Sequence, residues 1–305
     1  MSILVIKHSA LGDMILALPL FRAIRRHHPD EHLVLLTTAP YVDLIAKSSY
    51  FDEIWCDSRP KLWQLRHTLN LIRRIRGGRF SRIYDLQGSQ RTRWYYRLLG
   101  RPRPEWVGNA PGCSHFIPDS TVPIHISELR RQQLALVGIP DPGLPDLSFL
   151  QSDITRYGLR QPFALLVPGG SPHRPQKRWP AAHFAALANH LQYQGLQPVL
   201  IGRQAERLQI DEILAACPQA ISLYEQTSIA DLATLGRQAA VAVGNDTGPM
   251  HVLAAAGCPS LVLYSAESDP RKVSPRGDWV RILQHPNLAN LSLEKVLKRL
   301  PPQRS

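Results

Sequence analysis

The sequence predicts an α/β protein built from two parallel-sheet domains. Three observations carry this expectation. Short apolar runs alternate with longer amphipathic runs, the signature of strand-helix-strand units. The alternation comes in two series, separated by a stretch rich in Pro and Gly. Runs such as Ile3-Leu4-Val5-Ile6 are apolar without a break, as in strands covered on both faces. A chain of 305 residues has room for two domains of ordinary size. The boundary is expected near Leu150, giving residues 1–150 and 151–305.

The first series opens with the strand at Ile3–Ile6. It passes through Ser9-Ala10-Leu11-Gly12-Asp13 into a helix reaching about His27, where Pro29 ends it. Pro19 lies inside that helix and is expected to kink it. Leu33–Thr37 and Glu53–Cys56 read as strands. Leu62–Ile75 reads as an amphipathic helix closed by Gly77-Gly78, and Arg82–Leu86 as a further strand. From Arg101 to Asp146 the pattern fades, with one helix expected at Ser127–Val137. Gly138–Leu150, with Pro140, Pro142 and Pro145, reads as the approach to a linker.

The second series sets strands at Phe163–Val167, Gln197–Ile201, Ala220–Leu223, Ala239–Val243 and Ser260–Tyr264. Helices are expected at Ala181–Gln194, Ala205–Ala216, Ser228–Arg237 and Met250–Ala256, and a last one runs from its Ser292 cap to Leu300. Ser228 with Asp231 three residues on is a capping-box variant. In such sheets ligands bind beyond the carboxyl ends of the strands. The cleft between two such domains is therefore the expected active site.

Composition narrows the function. An apolar share of 44% allows proper cores. Thirty-six Lys and Arg against twenty-four Asp and Glu leave a net charge of +12. That balance attracts anionic partners. A nucleic-acid binder would interleave aromatics with its basic residues. Only Trp94-Tyr95-Tyr96, between Arg93 and Arg97, has that form, so no nucleic-acid partner is expected. The four cysteines form no C-x-x-C pair and neighbour no His at ligand spacing, so no metal site is expected. Their sparseness suits reduced thiols in the cytoplasm. The start of the chain has no signal-peptide pattern, and no apolar run is long enough to span a bilayer.

Three segments carry candidate chemistry. Lys7-His8-Ser9-Ala10-Leu11-Gly12-Asp13 joins the first strand to the first helix. Backbone N–H groups and the helix dipole meet a ligand there, and Gly12 permits its close approach. Asp13 is placed either to take a proton from a hydroxyl or simply to cap the helix. Pro168-Gly169-Gly170-Ser171-Pro172, followed by Lys177, lets a backbone approach phosphate. Ser171 offers a hydroxyl and Lys177 a point charge; the alternative is a Pro/Gly turn with solvated cations. Gly244-Asn245-Asp246-Thr247-Gly248-Pro249-Met250-His251 reads as a tight strand-to-helix turn whose free N–H groups suit phosphate. The alternative is an ordinary N-cap with a buried His. Glu206 suits a ribose or is a solvated helix-start residue. Asp85-Leu86-Gln87-Gly88, with Arg91 and Arg93, either faces an anionic acceptor or decorates a loop. Neither a Walker loop nor a G-x-G-x-x-G fingerprint is present.

Lys7…Gly12-Asp13, Asp85-Leu86-Gln87-Gly88, Lys177-x-Trp179-Pro180 and Asp246-Thr247-Gly248-x-x-His251, in that order, resemble glycosyltransferase family 9, the ADP-heptose:lipopolysaccharide heptosyltransferases. The resemblance spans nearly the whole chain. It implies the GT-B fold, two Rossmann-like parallel-sheet domains facing across a cleft. It implies an inverting heptosyltransferase that needs neither metal nor cofactor. Asp13 would be the catalytic base. Ser171, Lys177, Glu206, Asp246, Thr247, Gly248 and His251 would bind the nucleotide-sugar donor, ADP-heptose. Lys7, Ser9, Gly12, Gln87 and Arg91 would meet the acceptor, an anionic lipid-linked saccharide of the lipopolysaccharide inner core. The N-terminal domain would hold the acceptor and the C-terminal domain the nucleotide sugar, with peripheral contact at the cytoplasmic face of the inner membrane. The turn before Lys177 departs from the family in offering Ser171 as its one hydroxyl, and Arg101–Asp146 matches no family feature. The alternatives are a transferase using another nucleotide sugar on another cell-surface glycan, and a non-catalytic nucleotide-sugar-binding protein.

Overall fold

The computed structural model describes residues 1–59, 65–170 and 174–304. The chain divides into two compact units, Met1–Gly143 and Leu144–Ser305. In unit 1, strand β1 (Ser2–Ile6) leads into helix α1 (Leu11–His27). Then follow β2 (His32–Thr37), α2 (Val42–Ala46), β3 (Glu53–Cys56), α3 (Leu65–Gly77), β4 (Arg82–Asp85), α4 (Gln90–Leu98), β5 (Glu105–Gly108), β6 (His115–Phe116) and α5 (Ile126–Ala135). Helix α1 carries Pro19 within its length as one continuous helix. The opening of the helix expected from Leu62 lies outside the described residues.

Unit 2 begins its sheet with β7 (Phe163–Val167) and α6 (Ala181–Tyr193). It continues with β8 (Gln197–Leu200), α7 (Arg207–Ala216), β9 (Ile221–Ser222), α8 (Ile229–Gln238), β10 (Val241–Asn245), α9 (Gly248–Ala255), β11 (Ser260–Tyr264), α10 (Pro270–Val273), β12 (Val280–Gln284) and α11 (Leu293–Leu297).

Both sheets are six-stranded and wholly parallel. Their orders are β3-β2-β1-β4-β5-β6 and β12-β11-β10-β7-β8-β9. Counted within each unit, both read 3-2-1-4-5-6, the doubly wound Rossmann order. Its direction reverses between the first and fourth strands. In unit 1 that switch lies between β1 and β4, in unit 2 between β7 and β10. A crevice opens beyond the carboxyl ends of just those strands because their following loops depart to opposite faces.

The cores explain the strands. Leu4, Val5 and Ile6 are wholly buried, as are Ala164, Leu165 and Leu166 of β7. Tyr95 and Tyr96 of α4 turn inward, Tyr96 packing edge-on against Trp106 at 5.3 Å between ring centres. Only Trp94 of that aromatic trio is well exposed.

Three expectations are corrected. The faded stretch from Arg101 holds two strands, β5 and β6, besides the one helix. They are short and follow Pro102 and Pro104, so neither shows a strand-length alternation. The fourth strand of unit 2 runs Val241–Asn245, two residues later than expected, so Gly244 and Asn245 belong to the sheet. The helix expected at Ala205 opens as a single 3₁₀ turn, Gln204–Glu206, before α7. The first compact unit ends at Gly143 and the second begins at Leu144. Leu147 and Leu150 are buried, and their carbonyls accept hydrogen bonds from Arg237 at 3.2 and 2.5 Å, which fastens this segment to unit 2.

Candidate functional site

In unit 1 the loops after β1 and β4 meet at the switch point. Lys7 continues β1 and is 5% exposed. Burial is the main reason its pKa drops from 10.5 to about 8; Asp13 and Asp85 oppose the drop and Arg130 adds to it. Asp13 sits in the first turn of α1, where its Oδ2 accepts the Ala10 N–H at 3.0 Å. The capping role is therefore real. It occupies one carboxylate oxygen and leaves Oδ1 without a hydrogen-bond partner among the described residues. Lys7, Asp13 and Arg130 line one small pocket of about 10 Å³ with Leu86 and Ser127. That is room for about one water.

The surrounding shell is charged and buried. Asp85 ends β4 fully enclosed; burial pushes its carboxyl up, against the Gly88 N–H that bonds Oδ1 at 2.8 Å. Arg130 reaches in from α5, bonding the Gln133 side chain at 2.6 Å and the Gln87 carbonyl at 3.3 Å. Gln87 also accepts the His8 N–H at 2.9 Å, so it ties the two loops together. His8 Nε2 lies 3.0 Å from Asp57 Oδ2, which also accepts the Tyr95 hydroxyl at 2.8 Å. Burial opposes ionisation of Asp57, but His8, Tyr95 and the Arg59 N–H outweigh it and hold the carboxyl below its usual range. Arg59 donates to the Ser9 hydroxyl at 3.3 Å. Gly12 is buried in the first turn of α1, and Arg91 lies in the first turn of α4 with its guanidinium 3.5 Å from the Tyr95 hydroxyl.

Arg130 and Asp57 join this cluster without a signal in the sequence, whereas His8 lies in the candidate segment after the first strand. Nothing in the spacing of α5 separates Arg130 from a surface arginine. Its 5% exposure could not be read from spacing.

In unit 2 the loops after β7 and β10 meet likewise. Asn245, the buried last residue of β10, accepts the Trp179 N–H at 3.0 Å and donates to the carbonyls of Pro168 and Gly169 at 2.8 and 3.0 Å. One amide thus fixes both loops and the segment carrying Lys177. Lys177 Nζ lies 3.1 Å from Asp246 Oδ2, which also accepts the Ser268 hydroxyl at 2.8 Å. Asp246 therefore positions Lys177; a bare carboxylate would repel a phosphate. Thr247 is the N-cap of α9 with its backbone extended, and its hydroxyl is 3.3 Å from the Asn245 carbonyl rather than on the helix N–H groups. Gly248 opens α9, and His251 is buried one turn in.

Glu206 is 8% exposed, accepts the Arg203 N–H at 2.9 Å and lies 3.8 Å from Arg178. A Cβ added to Gly169 would sit 3.1 Å from its carboxyl carbon, so the residue borders the loop after β7. It is not a solvated helix-start Glu. Ser171 lies outside the described residues. Among the described residues no group of three or more His, Cys, Asp or Glu could hold a metal ion, and all four cysteines are free thiols.

Comparison with known proteins extends this picture. Residues 129–300 match the family model for glycosyltransferase family 9 (heptosyltransferase). Lipopolysaccharide heptosyltransferase 2 of Salmonella typhimurium is 25% identical, across 98% of this chain and 97% of that protein. A glycosyl transferase family 9 structure from Veillonella parvula superposes with a TM-score of 0.81 at 20% identity, covering 98% of this chain and 95% of its own. The E. coli ADP-heptose lipopolysaccharide heptosyltransferase II gives 0.76 at 24% identity, with 98% and 97% covered. The fold is GT-B, two Rossmann-like units of parallel sheet. By the match of residues 129–300, more than half of its length, the chain belongs to glycosyltransferase family 9.

Proposed function

We propose that this glycosyltransferase moves a heptose from ADP-heptose to the inner core of lipopolysaccharide, inverting the anomeric carbon. The observation that carries the reading is Lys177, held 3.1 Å from Asp246 beside the N-terminus of α9, in the crevice of unit 2. An oriented cation and a helix N-terminus are what a diphosphate leaving group requires. The likeness to the Salmonella enzyme over 98% of the chain supports heptose and lipopolysaccharide as substrates.

In this reading unit 2 binds the donor. Lys177, the Thr247-Gly248 turn and Ser171 hold the diphosphate, Glu206 the ribose, and His251 shapes the turn from beneath. Unit 1 binds the acceptor, with Lys7, Ser9, Gly12, Gln87 and Arg91 lining its place. Asp13 takes the proton of the attacking hydroxyl on Oδ1. The hydroxyl oxygen forms the new bond to the anomeric carbon, and the bond to the diphosphate oxygen breaks with its electron pair leaving on ADP. Fixed positive charge does the work that a metal does in other transferases, so the reaction runs in the presence of EDTA. No helix among the described residues is long and apolar enough to cross a membrane. The lipid-linked acceptor is met at the cytoplasmic face of the inner membrane by peripheral contact.

A thermal-shift panel of ADP-, GDP- and UDP-sugars tests the donor, because a ligand that binds only the folded state raises its melting temperature. ADP-heptose should give the largest shift in the wild type and a much smaller one in Lys177→Ala. A larger shift with a GDP- or UDP-sugar would replace the donor. An equal shift in both proteins would remove Lys177 from the phosphate site.

A further inference from the structure

Unit 1 carries a second cavity, far from the crevice between β1 and β4. It has a volume of about 570 Å³ and opens where β4 and β5 begin, beside the C-terminal ends of α3 and α4. The candidate acceptor residues Gln87 and Arg91 follow the other end of β4. Four arginines line the cavity: Arg76, Arg79, Arg101 and Arg103. Phe80 and Leu99 supply apolar wall between them.

Four guanidinium groups around one cavity concentrate positive charge there. Local contacts orient two of them. Arg76 donates to the carbonyls of Leu98 and Leu99 at 2.9 and 2.7 Å, where the C-terminal end of a helix favours a cation. Gly100 makes room for it: a Cβ there would lie 2.7 Å from an Arg76 nitrogen, and its φ of +71° suits glycine. The Arg103 guanidinium lies over the Tyr96 ring, 4.4 Å from its centre, and its buried Nε has no hydrogen-bond partner among the described residues. The carbonyls and the ring orient these groups without neutralising them.

Carboxylates do not complete the account. Glu105 also lines the cavity, but it accepts hydrogen bonds from Arg82 at 2.6 Å and His115 at 2.5 Å. Among the described residues none of the four arginines has a carboxylate within ion-pair distance. A bound anion would satisfy them, and Arg forks match phosphate oxygens in pairs. The volume lies within the range of small-molecule sites, larger than a bare phosphate needs. We propose that this cavity is a second binding site, distinct from the donor site, for a phosphate group carried on an organic molecule. Its source is a phospholipid headgroup or a soluble phosphorylated compound; both present the same oxygens to the same arginines.

The full-length protein tests this with two probes, pyrophosphate by titration calorimetry and phosphatidylcholine vesicles with and without phosphatidylglycerol by cosedimentation. The key variant is Arg79→Gln/Arg101→Gln, since both residues are exposed and neither side chain makes a hydrogen bond among the described residues. Arg207→Gln/Arg299→Gln, in unit 2, removes the same net charge as a control. Arg101→Gln alone is the milder variant should the double one prove unstable, and it should show a smaller loss in the same direction.

Pyrophosphate binding that survives Lys177→Ala but weakens about tenfold or more in Arg79→Gln/Arg101→Gln supports the site with a soluble ligand. Binding to the anionic vesicles that drops in that variant and not in the control supports it with a lipid headgroup. If neither probe binds at this site, or if the variant and the control lose equally, the proposal fails. Loss of all pyrophosphate binding in Lys177→Ala alone, with vesicle binding unchanged by the arginine substitutions, would also overturn it while leaving the donor site intact.

Discussion

At the scale of single residues, Asp13 serves as cap and candidate base through different oxygens. Substitution separates the two. Asp13 is the third residue of α1 and bonds back to the Ala10 N-cap; the side-chain oxygen of Asn can still accept that Ala10 N–H, now 3.0 Å from Asp13. Asn cannot take a proton. Asp13→Asn should therefore keep its melting temperature and its nucleotide affinity while transfer falls by roughly 10²–10⁴. Full activity in a steady-state assay would leave Asp13 only the cap. Lys7 makes a second prediction, through pH. Below about 8 both the folded and unfolded chains carry a charged Lys7, and the folded one bears the cost of burying it. Between about 8 and the ordinary 10.5 the folded chain has released a proton that the unfolded chain still holds. Stability contributed at this position therefore rises with pH across that window. Attraction for an anionic acceptor moves the other way, fading as pH climbs through about 8. The acceptor KM should rise there with little change in donor KM, and Lys7→Met should flatten both trends. A wild-type KM that does not vary between pH 7 and 9 would count against Lys7 as an acceptor contact. Asp13, Lys7 and Lys177 stand out in the sequence as candidates because each follows a strand. Arg130 does not, since its burial depends on α5 lying against the loop after β4.

At the scale of elements, local rules and packing divided the work. The α8 start was legible because its cap is local: Ser228 Oγ accepts the Asp231 N–H at 3.1 Å, and Asp231 returns a bond to the Ser228 N–H at 2.8 Å. The same carboxylate meets Ser152 and Arg156. Burial raises its pKa, but these hydrogen bonds overcome that and bring it to about 2. This long-range use of a capping residue draws the segment after Gly143 onto unit 2, and no local pattern records it. Helix α4 lacks a sequence signal for a related reason: its apolar face is short and aromatic, and the burial of Tyr95 and Tyr96 depends on packing against distant residues such as Trp106. Gly244 shows packing overriding motif. Read as part of a turn, it lies in β10, where an added Cβ would meet the Met250 sulfur at 2.7 Å and Val167 Cβ at 2.7 Å. It is the point where β10, β7 and α9 close most tightly. Gly244→Ala should cost about 1–3 kcal/mol through overpacking. That lowers the melting temperature by roughly 5 °C and weakens donor binding by shifting α9. Calorimetric melting with and without ADP measures both effects; an unchanged transition would mean that the strands separate at little cost.

At the scale of the whole molecule, the two units repeat one strand order without repeating any sequence. The order was not readable from the chain, because pairing between β1 and β4, or β7 and β10, joins segments about 80 residues apart. Only the alternation that makes such an order possible could be read. Each sheet has its own core: Trp106 and Tyr95 sit in one cluster, Trp179 and Phe184 in the other. The family match covers all of unit 2's strands but only the last helix of unit 1. The proposed function divides the labour between the units, with donor recognition in unit 2 by itself. Every proposed donor contact, from Lys177 to His251, lies there, and the Asn245 bonds that fix its two loops stay within it. A fragment from Leu144 to Arg304 should then fold cooperatively, with an order-of-magnitude stability of 5–15 kcal/mol typical of a domain. It should bind ADP within about tenfold of the full chain and catalyse no transfer, since Asp13 is missing. Urea unfolding followed by ADP titration provides the check. A fragment that folds but does not bind ADP would place an essential donor contact in unit 1 and end the division proposed here.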